Sequence, residues 1–189
     1  MLRIFRSRIR SYSTTTPIYP PSLLKLQVGK ILQCEKHENA DSLYVSQVQV
    51  GIEEKVQICS GLVKFYRQEE MKNLDVVLLT NLKPSKMRGV KSEAMVLASE
   101  TGAEENIEVC VVSPPKGAEI GDRLYFEGFS DTTQNTPTKL SSKAWKDIQT
   151  HLRTNSKGEV VYVTDDGEER KLGINDSSAT SKIVNAAVR

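Results

Sequence analysis

Histidine is nearly missing from this chain: His37 and His151 are the only two in 189 residues. Neither stands near an obvious nucleophile, and their separation matches no metal-ligand spacing. Both facts argue against a Ser–His or Cys–His pair. Cysteine is scarce too. Cys34, Cys59 and Cys110 are odd in number and widely spaced, which fits neither a disulfide framework nor a zinc cluster. Each lies in or beside an apolar run, as buried free thiols in a reducing compartment do. No Gly-rich phosphate loop and no Gly-x-Ser-x-Gly elbow occurs. The acidic pairs Glu53-Glu54, Glu104-Glu105 and Asp165-Asp166 fall in expected loops, where a solvated surface accounts for them. The sequence therefore points away from an enzyme and implies neither cofactor nor metal. No apolar run approaches the roughly 18–20 residues that span a bilayer, so no membrane partner is expected.

Acid is absent from the start of the chain, where Glu35 is the first carboxylate. Residues 1–21 carry Arg3, Arg6, Arg8 and Arg10, together with many hydroxyl residues. On a helix, Leu2, Phe5, Ile9 and Tyr12 would share one face. This pattern looks like a mitochondrial transit peptide, with a matrix-peptidase site at Arg10-Ser11-Tyr12-Ser13 and the cut after Tyr12. The alternative is a basic arm that touches RNA directly. The formal net charge of +2 thus conceals an asymmetry: +4 on residues 1–21 and −2 on the rest. The folded part has no general positive field, and any polyanion must meet a focused patch.

Pro17, Pro20 and Pro21 close the leader. Short strand-like runs follow at 24–29, 43–50, 56–59, 76–79, 95–98, 107–112 and 123–126, separated by turn signals. Gly29 reads as a bulge or bend in the first. Residues 69–72 suit a short helical turn. Many short strands at this spacing point to a small β-barrel or sandwich. Residues 130–142 are rich in Ser, Thr, Asp, Asn and Pro and read as a connection. Ser142 is placed to cap a helix over 143–152, with Ala144, Ile148 and Leu152 on one face and Trp145 beside it. Val160 to Val163 and Arg170 to Leu172 flank Asp165-Asp166-Gly167 as a hairpin, and 183–188 reads as a last strand.

Four cations crowd into residues 81–91: Lys83, Lys86, Arg88 and Lys91, with no acid among them. Pro84 and Gly89 restrict the backbone there, and apolar runs lie on both sides, so the charges sit on a held turn. Such a turn is suited to phosphates. His37, next to Lys36, reads as a surface loop residue.

The sequence Asn81-Leu82-Lys83-Pro84-Ser85-Lys86-Met87-Arg88-Gly89, followed by Ser92 and Met95, resembles the signature of the tRNA-binding OB-fold domain. That family includes the endothelial monocyte-activating polypeptide, the yeast-type aminoacyl-tRNA synthetase cofactor, and appendices of some methionyl- and tyrosyl-tRNA synthetases. His37-Glu38-Asn39-Ala40-Asp41-Ser42-Leu43-Tyr44-Val45 and Ser60-Gly61-Leu62-Val63 match in the same order. The resemblance implies a mainly β fold: a five-stranded OB barrel over 22–128, then a small α+β C-terminal domain over 129–189 that packs on it. In the polypeptide branch that extra domain imitates a partner subunit, so the chain is expected to be a monomer with an internal pseudo-dimer arrangement. The partners implied are tRNA and an aminoacyl-tRNA synthetase. Lys83, Lys86, Arg88 and Lys91 would meet backbone phosphates. Asn81, Ser85 and Ser92 would either bond the RNA or tie down the turn, and Lys30 and Lys64 are candidate rim cations. Met87 and Met95 read as packing residues. Four such cations give a slope of log K against log salt on the order of −3. The competing reading is a protein-binding OB module, a chaperone or a synthetase scaffold, with incidental RNA affinity.

Overall fold

The run Val76-Val77-Leu78-Leu79 has no polar residue to mark an outer face, and the tertiary structure explains why. The computed structural model describes residues 19–102, 106–129 and 136–189. Residues 1–18 with the expected cleavage site, the pair Glu104-Glu105 and most of the connection after residue 129 therefore lie outside the described residues. Strand β4 (Asp75–Leu79) is buried on both sides. Val76 and Leu78 point into one apolar core, and Val77 and Leu79 into another. Successive side chains on a strand alternate between faces, so a strand between two cores must be apolar throughout. Each such side chain contributes about 2 kcal/mol by its burial, before the entropy of ordering is subtracted.

The first core fills a barrel. Strands β1 (Leu26–His37), β2 (Ala40–Gln49) and β3 (Lys55–Ser60) form an antiparallel meander, and β4 pairs with the front half of β1 after a short helix, α1 (Gln68–Met71). Strand β7 (Met95–Val96) pairs with β4. The ring closes where Glu93 N donates to Gln57 O at 2.8 Å. Ile31, Tyr44, Val48, Ile58 and Leu78 fill the interior. Gly29 is not a bulge. It pairs in register with Val76, and the bulge lies further on, between Ile31 and Gln33. A Cβ at Gly29 would come within 2.8 Å of Leu78 Cδ1 and 2.9 Å of Val48 Cγ1. A side chain there would overfill the barrel at a cost of about 1–3 kcal/mol.

The second core joins the barrel to the rest of the chain. Leu26, Val28, Val77, Leu79, Leu124 and Phe126 pack with Leu140, Ile148, Tyr162, Leu172 and Val188. Backbone pairing crosses the same boundary. Strand β10 (Arg123–Phe126) pairs with both β1 and β13 (Glu169–Ile174), and β15 (Ala187–Val188) pairs with β8 (Ala98–Thr101), itself paired with β9 (Glu108–Val111). Strands β11 (Leu152–Thr154), β12 (Val160–Val163) and β14 (Ser177–Ser178) complete the C-terminal unit. The C-terminal residues thus share a core and a sheet with the barrel.

Three local expectations change. Helix α2 (Ser142–Gln149) is capped by Ser141, whose Oγ accepts from Ala144 N at 3.1 Å, one residue before the expected cap. It ends at Gln149 because Val163 N donates to His151 O and draws 151–152 onto β12. Leu152 still joins Ala144 and Ile148 in the core, but from a strand. The expected last strand shrinks to Ala187–Val188, since Asn185 takes φ +53, outside extended geometry. The hairpin around Asp165-Asp166-Gly167 forms with Val163 opposite Glu169.

Candidate nucleic-acid interface

The basic segment is a two-stranded arm, not a simple turn. Strands β5 (Ser85–Met87) and β6 (Val90–Ser92) pair with each other and form a separate small sheet. The tip is Arg88-Gly89, with φ +50 and +93. Two central residues with positive φ make a type I′ turn, which matches the twist of a tight hairpin. Glycine enters that region freely; arginine does so at a cost of about 1–2 kcal/mol. Asn would fit better, so the tip carries its guanidinium at the expense of stability.

Register decides how the charges stand. Lys86 and Lys91 are directly opposed, on one face of the arm. Like charges in that position repel. Glu93, just past the arm, relieves this: its Oε1 lies 2.6 Å from Lys91 Nζ, and its Oε2 accepts from Gln57 N at 3.1 Å. The Lys91 contact and then the Gln57 N–H hold the Glu93 carboxyl below its ordinary value. Lys91 is therefore partly neutralised. Lys83, Lys86 and Arg88 are exposed and have no acidic partner among the described residues. Ser85 is exposed beside them.

The arm is fixed at its base by buried polar groups. Asn81 is only 1% exposed. Its Nδ2 donates to Leu23 O and Pro137 O, each at 2.9 Å, and its Oδ1 accepts from Lys25 N at 3.0 Å. Asn81 O also accepts from Leu140 N. This residue clasps the barrel to the C-terminal unit and has no group left for RNA. Ser92 is buried as well: its Oγ accepts from Cys59 N and donates to Ala94 O. Both residues, expected either to bond RNA or to tie the turn, tie the turn. His37 corrects the sequence reading more sharply. It is 5% exposed, not a surface loop residue. Asn39 N donates to its Nδ1, so Nε2 bears the proton and donates to Met87 O at 3.2 Å. His37 is a strut between the β1–β2 turn and the arm.

Residues 26–123 match the family described as "Putative tRNA binding domain". The chain belongs to this family. It is 42% identical over 134 residues to the cytoplasmic tyrosine–tRNA ligase of Danio rerio, covering 70% of this chain and 25% of the ligase. It is 43% identical over 135 residues to the tRNA-aminoacylation cofactor arc1 of Schizosaccharomyces pombe, covering 71% and 29%. It is 41% identical over 152 residues to the mouse aminoacyl tRNA synthase complex-interacting multifunctional protein 1, covering 79% and 47%. The chain thus matches between a quarter and about half of these relatives' lengths. Among solved structures, the C-terminal domain of Plasmodium vivax p43 is similar with a TM-score of 0.76 at 28% identity, covering 89% of this chain and 98% of that one.

Within this tRNA-binding domain the expected rim cations part company. Lys30 pairs with Asp75 at 3.2 Å and sits opposite Gln49, seven residues along β1 from the His37 strut. It lines a different hollow from the arm residues, with Asn73, Ser113 and Lys116. Lys64 is exposed in the segment after β3, near Lys36 and Phe65. Met87 and Met95 are both half-buried, and both line a cleft of about 360 Å³ between the arm and the C-terminal unit. The His37 strut left no signal in the sequence. The Lys64-Phe65-Tyr66-Arg67 run did, as two aromatic residues flanked by basic ones.

Proposed function

We propose that this chain is a non-catalytic tRNA-binding protein that holds the backbone of folded tRNA, recognises its shape, and assists aminoacyl-tRNA synthetases, in mitochondria. The observation that carries this reading is Arg88, held at φ +50 on the tip of an arm whose Lys83 and Lys86 are also unpaired. A guanidinium suits a phosphate through two parallel hydrogen bonds, and A-form RNA offers phosphates and 2′-hydroxyls in place of readable major-groove edges. Relatives named as an aminoacylation cofactor and a synthase-complex protein support the synthetase clause. The acid-free, Arg-rich residues 1–21 support the mitochondrial one. We further propose that the chain is a monomer, since the C-terminal unit covers the outward apolar residues of β1 and β4.

Three unpaired arm cations set a slope of log K against log salt of roughly −2 to −3. Replacing Lys86 and Arg88 with Ala is expected to weaken tRNA binding at least about tenfold and to flatten that slope by about 1.5, with the melting curve unchanged. Unchanged affinity in the folded double variant would sink the assignment. The tagged full chain should be recovered from mitochondria with tRNA and sediment as a monomer. RNase-resistant recovery of a synthetase with no tRNA would favour a protein scaffold.

A further inference from the structure

The barrel end beside the arm carries a second feature, which is not electrostatic. Phe65 is 36% exposed, and it is the one aromatic ring among the exposed large apolar side chains of the described residues. Its neighbours are anchored. Leu62 is buried in the barrel core, and its carbonyl accepts from both Phe65 N at 3.0 Å and Tyr66 N at 2.9 Å. Tyr66 Oη accepts from Val111 N, and Tyr66 O accepts from Tyr44 Oη at 2.8 Å. The backbone on both sides of Phe65 is therefore fixed, at a position where the ring reaches the surface.

Phe65 lines a hollow of about 600 Å³ with Lys36, Tyr44, Lys64 and Arg67. Lys36 and Lys64 have no ion pair among the described residues, whereas Arg67 meets Glu70. Glu69 and Glu70 also line the hollow. The hollow adjoins the arm along the chain: Lys36 precedes the His37 strut that bonds Met87 O, and Val63 in the hollow follows Leu62, which lines the cleft beside Lys83 and Met87.

An exposed ring flanked by cations is the arrangement that takes a nucleobase on the ring and phosphates on the cations. The acids decide which part lies where. A base is uncharged and tolerates Glu69, while a phosphate at the same place would be repelled. A base inside a duplex presents no free face, so the occupant must be unpaired. We infer that Phe65 is a stacking platform for one unpaired base of the bound tRNA, with Lys36 and Lys64 holding the adjoining phosphates. This rests on the tRNA-binding reading and adds that the chain contacts a single-stranded part of the molecule as well as backbone shape.

The test uses the full chain with three variants, Phe65→Ala, Phe65→Leu and Phe65→Tyr, titrated with unfractionated tRNA and with a blunt-ended RNA duplex. Phe65→Leu keeps an apolar side chain without a π face and guards against loss of fold. Both Phe65→Ala and Phe65→Leu should bind tRNA about tenfold more weakly, within the range of about 5- to 150-fold for one stacked base. Their salt slope and their duplex affinity should match wild type, and Phe65→Tyr should restore tRNA affinity. Wild-type tRNA affinity in Phe65→Leu would overturn the inference, as would equal loss toward tRNA and duplex. If these results appear while Lys86→Ala/Arg88→Ala weakens binding as expected, only the stacking inference fails. If the wild-type chain binds no tRNA, the broader reading fails with it.

Discussion

Asn81 and Arg88 lie seven residues apart and are built on opposite terms. Asn81 is buried, and every polar group of its side chain is bonded. Arg88 is exposed, unpaired among the described residues, and held in a backbone region that costs energy. A residue whose bonding capacity is spent inside the molecule can only position its neighbours. A residue whose capacity is left open at a stability cost is available to a partner. The contrast separates the frame of the site from its working surface better than residue type does, since both were candidates for contact with RNA.

The largest effect should come from the frame. Asn81→Ala leaves buried partners unsatisfied at Lys25 N, Leu23 O and Pro137 O. The expected cost is about 3 kcal/mol, read in urea unfolding, and tRNA affinity should fall only as far as the arm is released. A change within about 0.5 kcal/mol would erase the contrast. At the tip the two properties should move in opposite directions. Arg88→Asn relieves the positive-φ strain and should raise stability by up to about 1 kcal/mol, while tRNA binding weakens and its salt slope flattens by nearly one unit. Equal or tighter binding by this variant would show that the strained guanidinium has no role with RNA.

The smallest effect concerns Glu93, between frame and surface. Lys91 and the Gln57 N–H keep its carboxyl below the ordinary 4.5 in the fold. Its stabilisation is therefore complete above about pH 4.5 and disappears as pH falls through the lower folded value. Wild-type stability should lose this increment in acid, and Glu93→Gln should lack it at neutral pH. The pair is partly exposed, so the change should be a fraction of a kcal/mol. With Lys91 released, Glu93→Gln should steepen the salt slope for tRNA by somewhat less than one unit.

Much of the fold was legible because β-strands announce themselves by alternation and by turn residues. The meander, β4, the hairpin of β12 and β13, and the helix with Ala144 and Ile148 on its buried face follow from such local patterns. The arm was read as a turn because three-residue strands are too short to show a period. The helix end was misplaced because a backbone bond from Val163 N to His151 O sets it, and the last strand because Asn185 takes a positive φ. Among site residues, charge was visible and pairing was not. Glu93 stands two residues past Lys91, but its carboxylate is held there by Gln57 N, 36 positions away, which the sequence does not show. Lys30 reads as a rim cation in the sequence, and only the fold pairs it with Asp75 across β1 and β4.

By itself the sequence determined the chemistry on offer: a cluster of cations without nearby acid, a Gly at the one tip position that needs it, few histidines and a family signature. Those are properties of composition and short spacing, fixed by the covalent chain. The tertiary structure decided which of these groups remain available. Burial consumes the hydrogen bonds of Asn81 and Ser92, the Gln57 N–H holds the Glu93 carboxylate that pairs with Lys91, and the bonds of Tyr66 to Tyr44 and Val111 anchor the backbone that leaves Phe65 exposed. Each of these depends on residues tens of positions apart being brought within hydrogen-bonding distance, which only the folded packing accomplishes.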